Sequence, residues 1–275
     1  MTIRILELST SSAIVTGAAG LLGQEHCAAL AELGSTLILI DINSEKLVAA
    51  KSRIESNYPD CKVLTYIIDI TNEEEVKRLR NELEKIEVFP NILINNAAID
   101  AKVTGNQIES SRLENFELSA WNFELSVGLT GAFIMSKIFG TQMAEHNAGG
   151  VIINIASDLS VIAPNQTLYE IDGLPENEQP VKPITYSVIK AGLVGMTKYL
   201  STYWAKDGIR VNALSPGGVF QNQSPEFVQK LEKLIPMGRM AATDEYRGAI
   251  QFLCTDASKY MTGQNIVMDG GRSVW

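Results

Sequence analysis

The stretch from Ala13 to Leu33 limits the fold more than any other. Ala13-Ile14-Val15-Thr16 is a short apolar run of strand-forming residues; Gly17, Gly20 and Gly23 follow at a spacing of three. An apolar helical pattern then runs to Leu33, with Gly34 as its stop. A strand that enters a helix through a glycine turn brings bare backbone and the helix N-terminus to one point, an arrangement that suits a pyrophosphate. Without a ligand the same segment is only a tight strand–helix turn.

The rest of the chain repeats the alternation. Strands are expected at Thr36–Ile40, ending in Asp41, and at Val63–Ile68, closed by Asp69-Ile70. Asn91–Ile94 runs into Asn95-Asn96-Ala97-Ala98, and Val151–Ile155 into Ala156-Ser157. Ile209–Leu214 leads to Ser215-Pro216-Gly217-Gly218, and Asn265–Met268 to Asp269-Gly270-Gly271. Helical periodicity covers Ser44–Asn57, Asn72–Glu87, Ala120–His146 with Ser119 as its cap, and Tyr186–Trp204. Two shorter patterns run over Pro225–Leu234 and Asp244–Cys254. Strands alternating with helices predict an α/β, doubly wound parallel sheet (a Rossmann fold) in a single domain, 1–275. The stretch 159–184 is rich in proline and glycine and reads as an inserted loop, of a length usually tied to function. Tyr169 and Asn165 in it are candidate contacts to a hydroxylated substrate.

Charge narrows the partners. A net charge of −9 and a pI near 4.9 disfavour nucleic acid and anionic membrane surfaces. No apolar run approaches the roughly 18 residues of a membrane span, and Met1 to Ser12 has no signal-peptide pattern. Cys27, Cys61 and Cys254 are scattered, as in a reducing cytoplasm. His26 and His146 lie far apart, without acidic or cysteine neighbours at ligand spacing; no metal site is expected, and each reads as a surface or hydrogen-bonded histidine.

Two further features point to redox chemistry. Asp41 ends the second strand 18 residues after Gly23, where an acidic side chain can meet ribose hydroxyls and repel a 2′-phosphate. With no Arg or Lys beside it, this favours NAD over NADP; the alternative is a helix-capping Asp. Tyr186 and Lys190 are four apart on a helix and share one face. An ammonium beside a phenol favours the phenolate, which suits proton transfer to a carbonyl or from an alcohol.

Thr16-Gly17…Gly23, Asn95-Asn96-Ala97-Ala98, Ser157, Tyr186-x-x-x-Lys190, Arg210-Val211-Asn212-Ala213-x-x-Pro216-Gly217 and Asp269-Gly270-Gly271 together resemble the short-chain dehydrogenase/reductase family in its compact branch. The resemblance implies hydride transfer between a nicotinamide and an alcohol/carbonyl carbon of a small-molecule substrate. It makes Tyr186 the proton donor or acceptor, has Lys190 lower its pKa and bond the nicotinamide ribose, and has Ser157 hold the substrate oxygen. It places Gly17, Gly20, Leu22, Gly23, Asp41, Asp69, Ile70, Asn96, Ala97, Pro216, Gly217 and Val219 at the cofactor, with Tyr186 and Lys190 touching it as well. The two helices Ala120–His146 and Tyr186–Trp204 carry surplus apolar surface, and in the family they join subunits into a homo-tetramer or dimer.

Four positions depart from the family pattern. Leu21 stands where the compact branch has Gly, a spacing similar to nucleotide-sugar epimerases and dehydratases. Gln221 replaces a cofactor-binding Thr. Ser157 and Tyr186 are 29 residues apart, more than the family's usual dozen or so; Tyr169 lies nearer that spacing but faces Gly173 where a Lys is needed. Gly128 occupies the place of the family's fourth catalytic residue, an Asn that holds a water linked to the Lys. Gly128 either packs closely against a neighbour or leaves a void in which water bonds freed helix carbonyls. Ala163-Pro164-Asn165-Gln166…Tyr169, Tyr199–Trp204 and the ending Asp269–Trp275 look similar to a narrower group of flagellin-modification and surface-polysaccharide biosynthesis oxidoreductases. That suggests a sugar or aminosugar substrate. The competing readings are an epimerase or dehydratase with cycling NAD and a non-catalytic NAD-binding protein.

Overall fold

The computed structural model describes residues 6–99 and 111–275, so the reading of Met1 to Ile5 lies outside the described residues. Its centre is one parallel sheet: β1 (Ser12–Thr16), β2 (Thr36–Asp41), β3 (Val63–Ile67), β4 (Ile92–Asn95), β5 (Gly150–Ile155), β6 (Ile209–Pro216) and β7 (Asn265–Met268). The strand order is β3-β2-β1-β4-β5-β6-β7, and every neighbouring pair is parallel. Central strands are apolar on both faces because both are covered. Ala13, Val15, Leu37 and Leu39 pack on one side against α1 (Leu21–Ala31), α2 (Ser44–Asn57) and α7 (Arg247–Cys254). Ile14, Ile38, Leu93 and Ile152 pack on the other against α3 (Glu73–Lys85), α4 (Leu118–Glu145) and α5 (Ile184–Tyr203). Strand order reverses between β1 and β4, which opens a crevice at the carboxyl ends of the strands.

The long helix α4 differs from its sequence reading in two ways. It starts at Leu118, after Glu117, so Ser119 lies inside the first turn and caps nothing. Two π stretches, Ser126–Thr130 and Ser136–Gly140, interrupt it. An 18-residue window of this helix reaches a mean hydropathy of 1.2, enough by length and composition to cross a membrane, although polar residues interrupt it and it forms no continuous apolar run. Half of that window is buried in the fold, and Ile134, Met135, Phe139 and Met143 pack on the sheet. These are the contacts of a core helix.

The segment 159–184 is a structured cover built from short 3₁₀ turns at Gln166–Tyr169 and Glu176–Glu178. Gln179 bonds the backbone of Ile171 and Leu174, and Arg112 donates to the carbonyls of Glu176 and Gln179. Leu168 is buried among Leu231, Ile235 and Met240, at and beyond α6 (Pro225–Glu232). The cover is therefore anchored by a small hydrophobic cluster of its own. At its end Pro183 precedes α5, so Tyr186 stands in the helix's first turn.

His26 corrects the reading of a surface or hydrogen-bonded side chain. It is fully buried in α1, and among the described residues neither ring nitrogen has a hydrogen-bond partner. His146 instead lies against the Phe89 ring.

Candidate active site

A cavity of about 810 Å³ occupies the crevice. Its first half is the glycine turn. Gly17 takes φ +61°, and a side chain there would meet Ala97 Cα at 2.8 Å. Asn96 fixes the turn against β4: its side-chain amide donates to the carbonyls of Thr16 and Gly17 at 2.9 and 3.1 Å. Thr16 Oγ1 accepts from the N–H groups of Asn96 and Ala97. The two strand ends are thus tied together beneath a concave backbone surface that side chains would fill. Gly17, Gly20, Leu22, Asn96 and Ala97 line the cavity. Gly23 does not belong to the lining: a Cβ there would lie 2.2 Å from the Gly17 carbonyl, so Gly23 lets α1 press up behind the turn.

Asp41 sits at the same end. One carboxylate oxygen accepts from Ala19 N–H at 3.1 Å and the other from Asn43 N–H at 3.0 Å. The side chain is therefore fixed at the rim of the glycine turn. Asp69 and Ile70 line the neighbouring wall, where Asp69 holds Thr71 by backbone and hydroxyl. No basic side chain lies at residues 17–23 or 40–43.

The other half collects Ser157, Tyr186 and Lys190, with Pro216, Gly217 and Val219 on the facing wall. Lys190 is buried and its ammonium donates to the Ile155 carbonyl at 2.9 Å, at the end of β5. That ammonium lies 5.6 Å from the centre of the Tyr186 ring, and the Lys182 ammonium lies 4.1 Å from it on the preceding turn. Two cations thus flank one phenol. Ser157 follows β5 directly; its hydroxyl donates to Asp158 at 2.8 Å and accepts from Leu159 N–H at 3.2 Å. Tyr246 stands behind Gly217 and bonds the Met268 carbonyl. Burial, and after it the charge of Asp158, push its phenol up, so it remains a donor.

The departures from the family pattern are also placed. The side of Gly128 that faces α5 is filled by Ile189: a Cβ on Gly128 would meet Ile189 Cγ2 at 2.7 Å. Close packing therefore accounts for this glycine, and the open void that was the alternative is not present on that side. Gln221 and Leu21 line the cavity. Tyr169 also lines it, its ring tilted against Phe227 with centroids 5.8 Å apart, whereas the Asn165 side chain caps its own 3₁₀ turn. Among the described residues no cluster of His, Cys, Asp or Glu is arranged to hold a metal ion.

Sequence reading missed Asp158, Lys182 and Arg272, all of which line the cavity. Adjacency to Ser157 was the available signal for Asp158. Arg272, three residues from the last, gave none, because only the folded tail brings it back to β5.

A family model described as short chain dehydrogenase matches residues 11–170, and one described as Enoyl-(Acyl carrier protein) reductase matches residues 177–273. An NAD-dependent glycerol dehydrogenase of Listeria innocua is 30% identical over 95% of this chain and 93% of its own. A D-threitol dehydrogenase of Mycolicibacterium smegmatis is 28% identical over 95% and 92% of the two chains. Post-translational flagellin modification protein A of Campylobacter coli is 29% identical over 94% and 96%. Among solved structures, a short chain dehydrogenase from Leptospira borgpetersenii with bound NAD+ has a TM-score of 0.84 at 30% identity, covering 98% of this chain and 94% of that one. A gluconate 5-dehydrogenase from Burkholderia cenocepacia in complex with NADP and tartrate has a TM-score of 0.85 at 26% identity, covering both chains fully.

Proposed function

The chain belongs to the short-chain dehydrogenase family, and on that premise we propose an NAD-dependent oxidoreductase for a sugar or aminosugar derivative, working in surface-glycan biosynthesis. The observation that carries the reading is the meeting of Ser157, Tyr186 and Lys190 in one cavity with the glycine turn. The cradle at Gly17 fits a dinucleotide: the backbone of Gly17, Gly20 and Leu22 holds its pyrophosphate, while Gly23 keeps that backbone in place. Asp41 takes the adenosine ribose hydroxyls, with Asp69 and Ile70 beside it. Asn96, Ala97, Pro216, Gly217 and Val219 border the nicotinamide end. The NAD-binding relatives agree with the Asp41 argument, although the Burkholderia enzyme holds NADP.

When bound, the cofactor accepts or supplies the hydride. The chain's own residues handle the proton and the oxygen. Ser157 Oγ holds the substrate oxygen. In the oxidative direction Tyr186 Oη takes the hydroxyl proton as the carbon loses its hydride, leaving a carbonyl; reduction reverses both transfers. The Lys190 and Lys182 ammonium groups lie 5.6 and 4.1 Å from the centre of the Tyr186 ring, where their charge attracts the negative charge that develops on Oη. The cover at 159–184 closes the substrate side and sheds water from it. The test is Tyr186→Phe, assayed by NADH absorbance with glycerol, threitol and sugar alcohols. Turnover should drop about 10²–10⁴-fold with NAD binding retained; an unchanged rate would refute the mechanism.

Assembly and location follow from the same reading. Leu118, Phe123 and Phe133 on α4 and Tyr199 and Tyr203 on α5 are large, apolar and exposed. A second copy of the chain covers such a surface, giving a dimer or tetramer of closed symmetry. Sedimentation at micromolar concentration should show a species heavier than 30.0 kDa. Free thiols at Cys27, Cys61 and Cys254 suit a cytoplasmic site of action.

A further inference from the structure

The last residues of the chain fold back into the cavity. Gly270 and Gly271 take φ +66° and +90°, and Asp269 ties the turn by accepting from the N–H groups of Gly271 and Ser273 at 2.9 and 2.7 Å. This turn aims Arg272 at the end of β5, where its guanidinium donates to Asp158 at 2.7 Å. Both side chains are almost fully buried, 9% and 4% exposed, yet both line the cavity. Among the described residues Arg272 makes no other hydrogen bond, so most of its N–H donors remain open towards the cavity.

Asp158 joins this pair to the reacting centre. Its other oxygen accepts from the Ser157 hydroxyl at 2.8 Å and from Leu159 N–H at 2.9 Å. Ser157 Oγ and the Asp158 carboxylate are thus as far apart as two gauche oxygens on adjacent carbons. Asp158 offers an acceptor and Arg272 a donor at one spot. A hydroxyl is both donor and acceptor, and it satisfies the two together. A methyl or methylene at that spot leaves a buried ion pair without the water it would otherwise keep, which makes an apolar neighbour unfavourable.

We propose that Asp158 and Arg272 read the hydroxyl on the carbon next to the reacting one, so that the substrate is a vicinal diol and the product an α-hydroxy ketone. The inference rests on the oxidoreductase reading of the same cavity and assigns its substrate class. Asp158 and Arg272 then determine specificity, while hydride and proton transfer remain with the cofactor, Ser157, Tyr186 and Lys190.

Butane-2,3-diol and butan-2-ol differ only in the adjacent hydroxyl and serve as probes. The wild type should prefer the diol in kcat/KM by about tenfold or more, the worth of a hydrogen bond to charged groups. Arg272→Met and Asp158→Asn should bring that ratio down to within about threefold of unity, and Arg272→Lys, which keeps the charge and loses the planar fork, should fall between. NADH binding by fluorescence confirms that each variant is folded. A pair that only staples the tail to β5 would lower both alcohols alike and leave the ratio unchanged; that result, or no wild-type preference, overturns the proposal. Saturation-transfer NMR with the same two probes gives a readout without turnover. If neither alcohol is oxidised, the oxidoreductase reading still stands or falls on glycerol, threitol and the sugar alcohols, and the NMR decides the pair: a diol signal on the wild type that is lost in Arg272→Met supports the diol reader, and its absence on the wild type rejects it.

Discussion

His26 offers a perturbation whose size can be worked from its surroundings. The imidazole is fully buried in α1, and both nitrogens lack partners among the described residues. Desolvation lowers its pKa from 6.5 to about 4, against a smaller opposing pull from Glu25. The unfolded chain therefore takes up the proton first. The stability tied to the neutral ring is fully present above pH 6.5 and is lost as the pH falls towards 4. At 1.36 kcal/mol per pH unit the total loss is about 3 kcal/mol. His26→Leu, similar in volume, removes the titration, and it also removes a buried N–H without an acceptor, a stabilising change of about 1–3 kcal/mol. Urea unfolding of both proteins at several values between pH 7.5 and pH 4 measures the effect. Carboxylates such as Glu245, held at about 2 by the Arg239 guanidinium, also lose their contribution in acid, so only the difference between the two proteins isolates His26. That difference should widen by about 3 kcal/mol from pH 7 to pH 4. Parallel pH profiles would show that His26 is solvated or paired in the folded protein, and the reasoning would fail.

Other outcomes follow from the site. Asp41→Ala should shift the NAD-to-NADP affinity ratio by about 100-fold towards NADP, since two charges 4 Å apart interact by about 1 kcal/mol in water and about 4 kcal/mol near a protein surface; titrating both cofactors measures it. Gly128→Val should destabilise the protein by about 1–3 kcal/mol, because its Cβ would overlap Ile189, and Ile189→Ala should restore part of that loss in the double variant. Simple additivity of the two substitutions in urea unfolding would rule out that contact. Shortening the 159–184 cover should raise KM and leave NAD affinity unchanged; a change in assembly with unaltered kinetics would make the cover a subunit contact.

Local patterns made most of the fold legible. The apolar runs predicted all seven strands because the central ones are buried on both faces and must be apolar throughout, while the edge strands β3 and β7 are partly buried; β7 and α2 begin and end where the pattern puts them. Helix ends were less visible. The pattern beginning near Asp244 becomes helix only at Arg247, since local turns compete with helix where no side chain caps it, whereas α5 begins two residues early, at Ile184, directly after Pro183. The π stretches of α4 had no signal: they depend on packing against α3 and α5. In the site, residues at strand ends were readable because a parallel sheet delivers all its strand ends to one edge. Arg272 and Lys182 were not readable, since the first depends on how the tail turns and the second on how the 159–184 cover is anchored. His26 was misread because nothing in its neighbours in sequence distinguishes a buried imidazole from an exposed one.

The position of Arg272 has a consequence for how the protein matures. Chains emerge from the ribosome N-terminus first, and the half that carries the glycine turn, β1 to β4 with α1 to α3, can assemble while synthesis continues. The tail turn can do so only much later. Gly270, Gly271 and Arg272 are still inside the exit tunnel when the codon for Trp275 is read, and β7 beside them has no room to dock on β6. Until Arg272 has cleared the tunnel Asp158 lacks that guanidinium. A nascent chain can therefore hold its glycine turn in place before the opposite half of the cavity has closed.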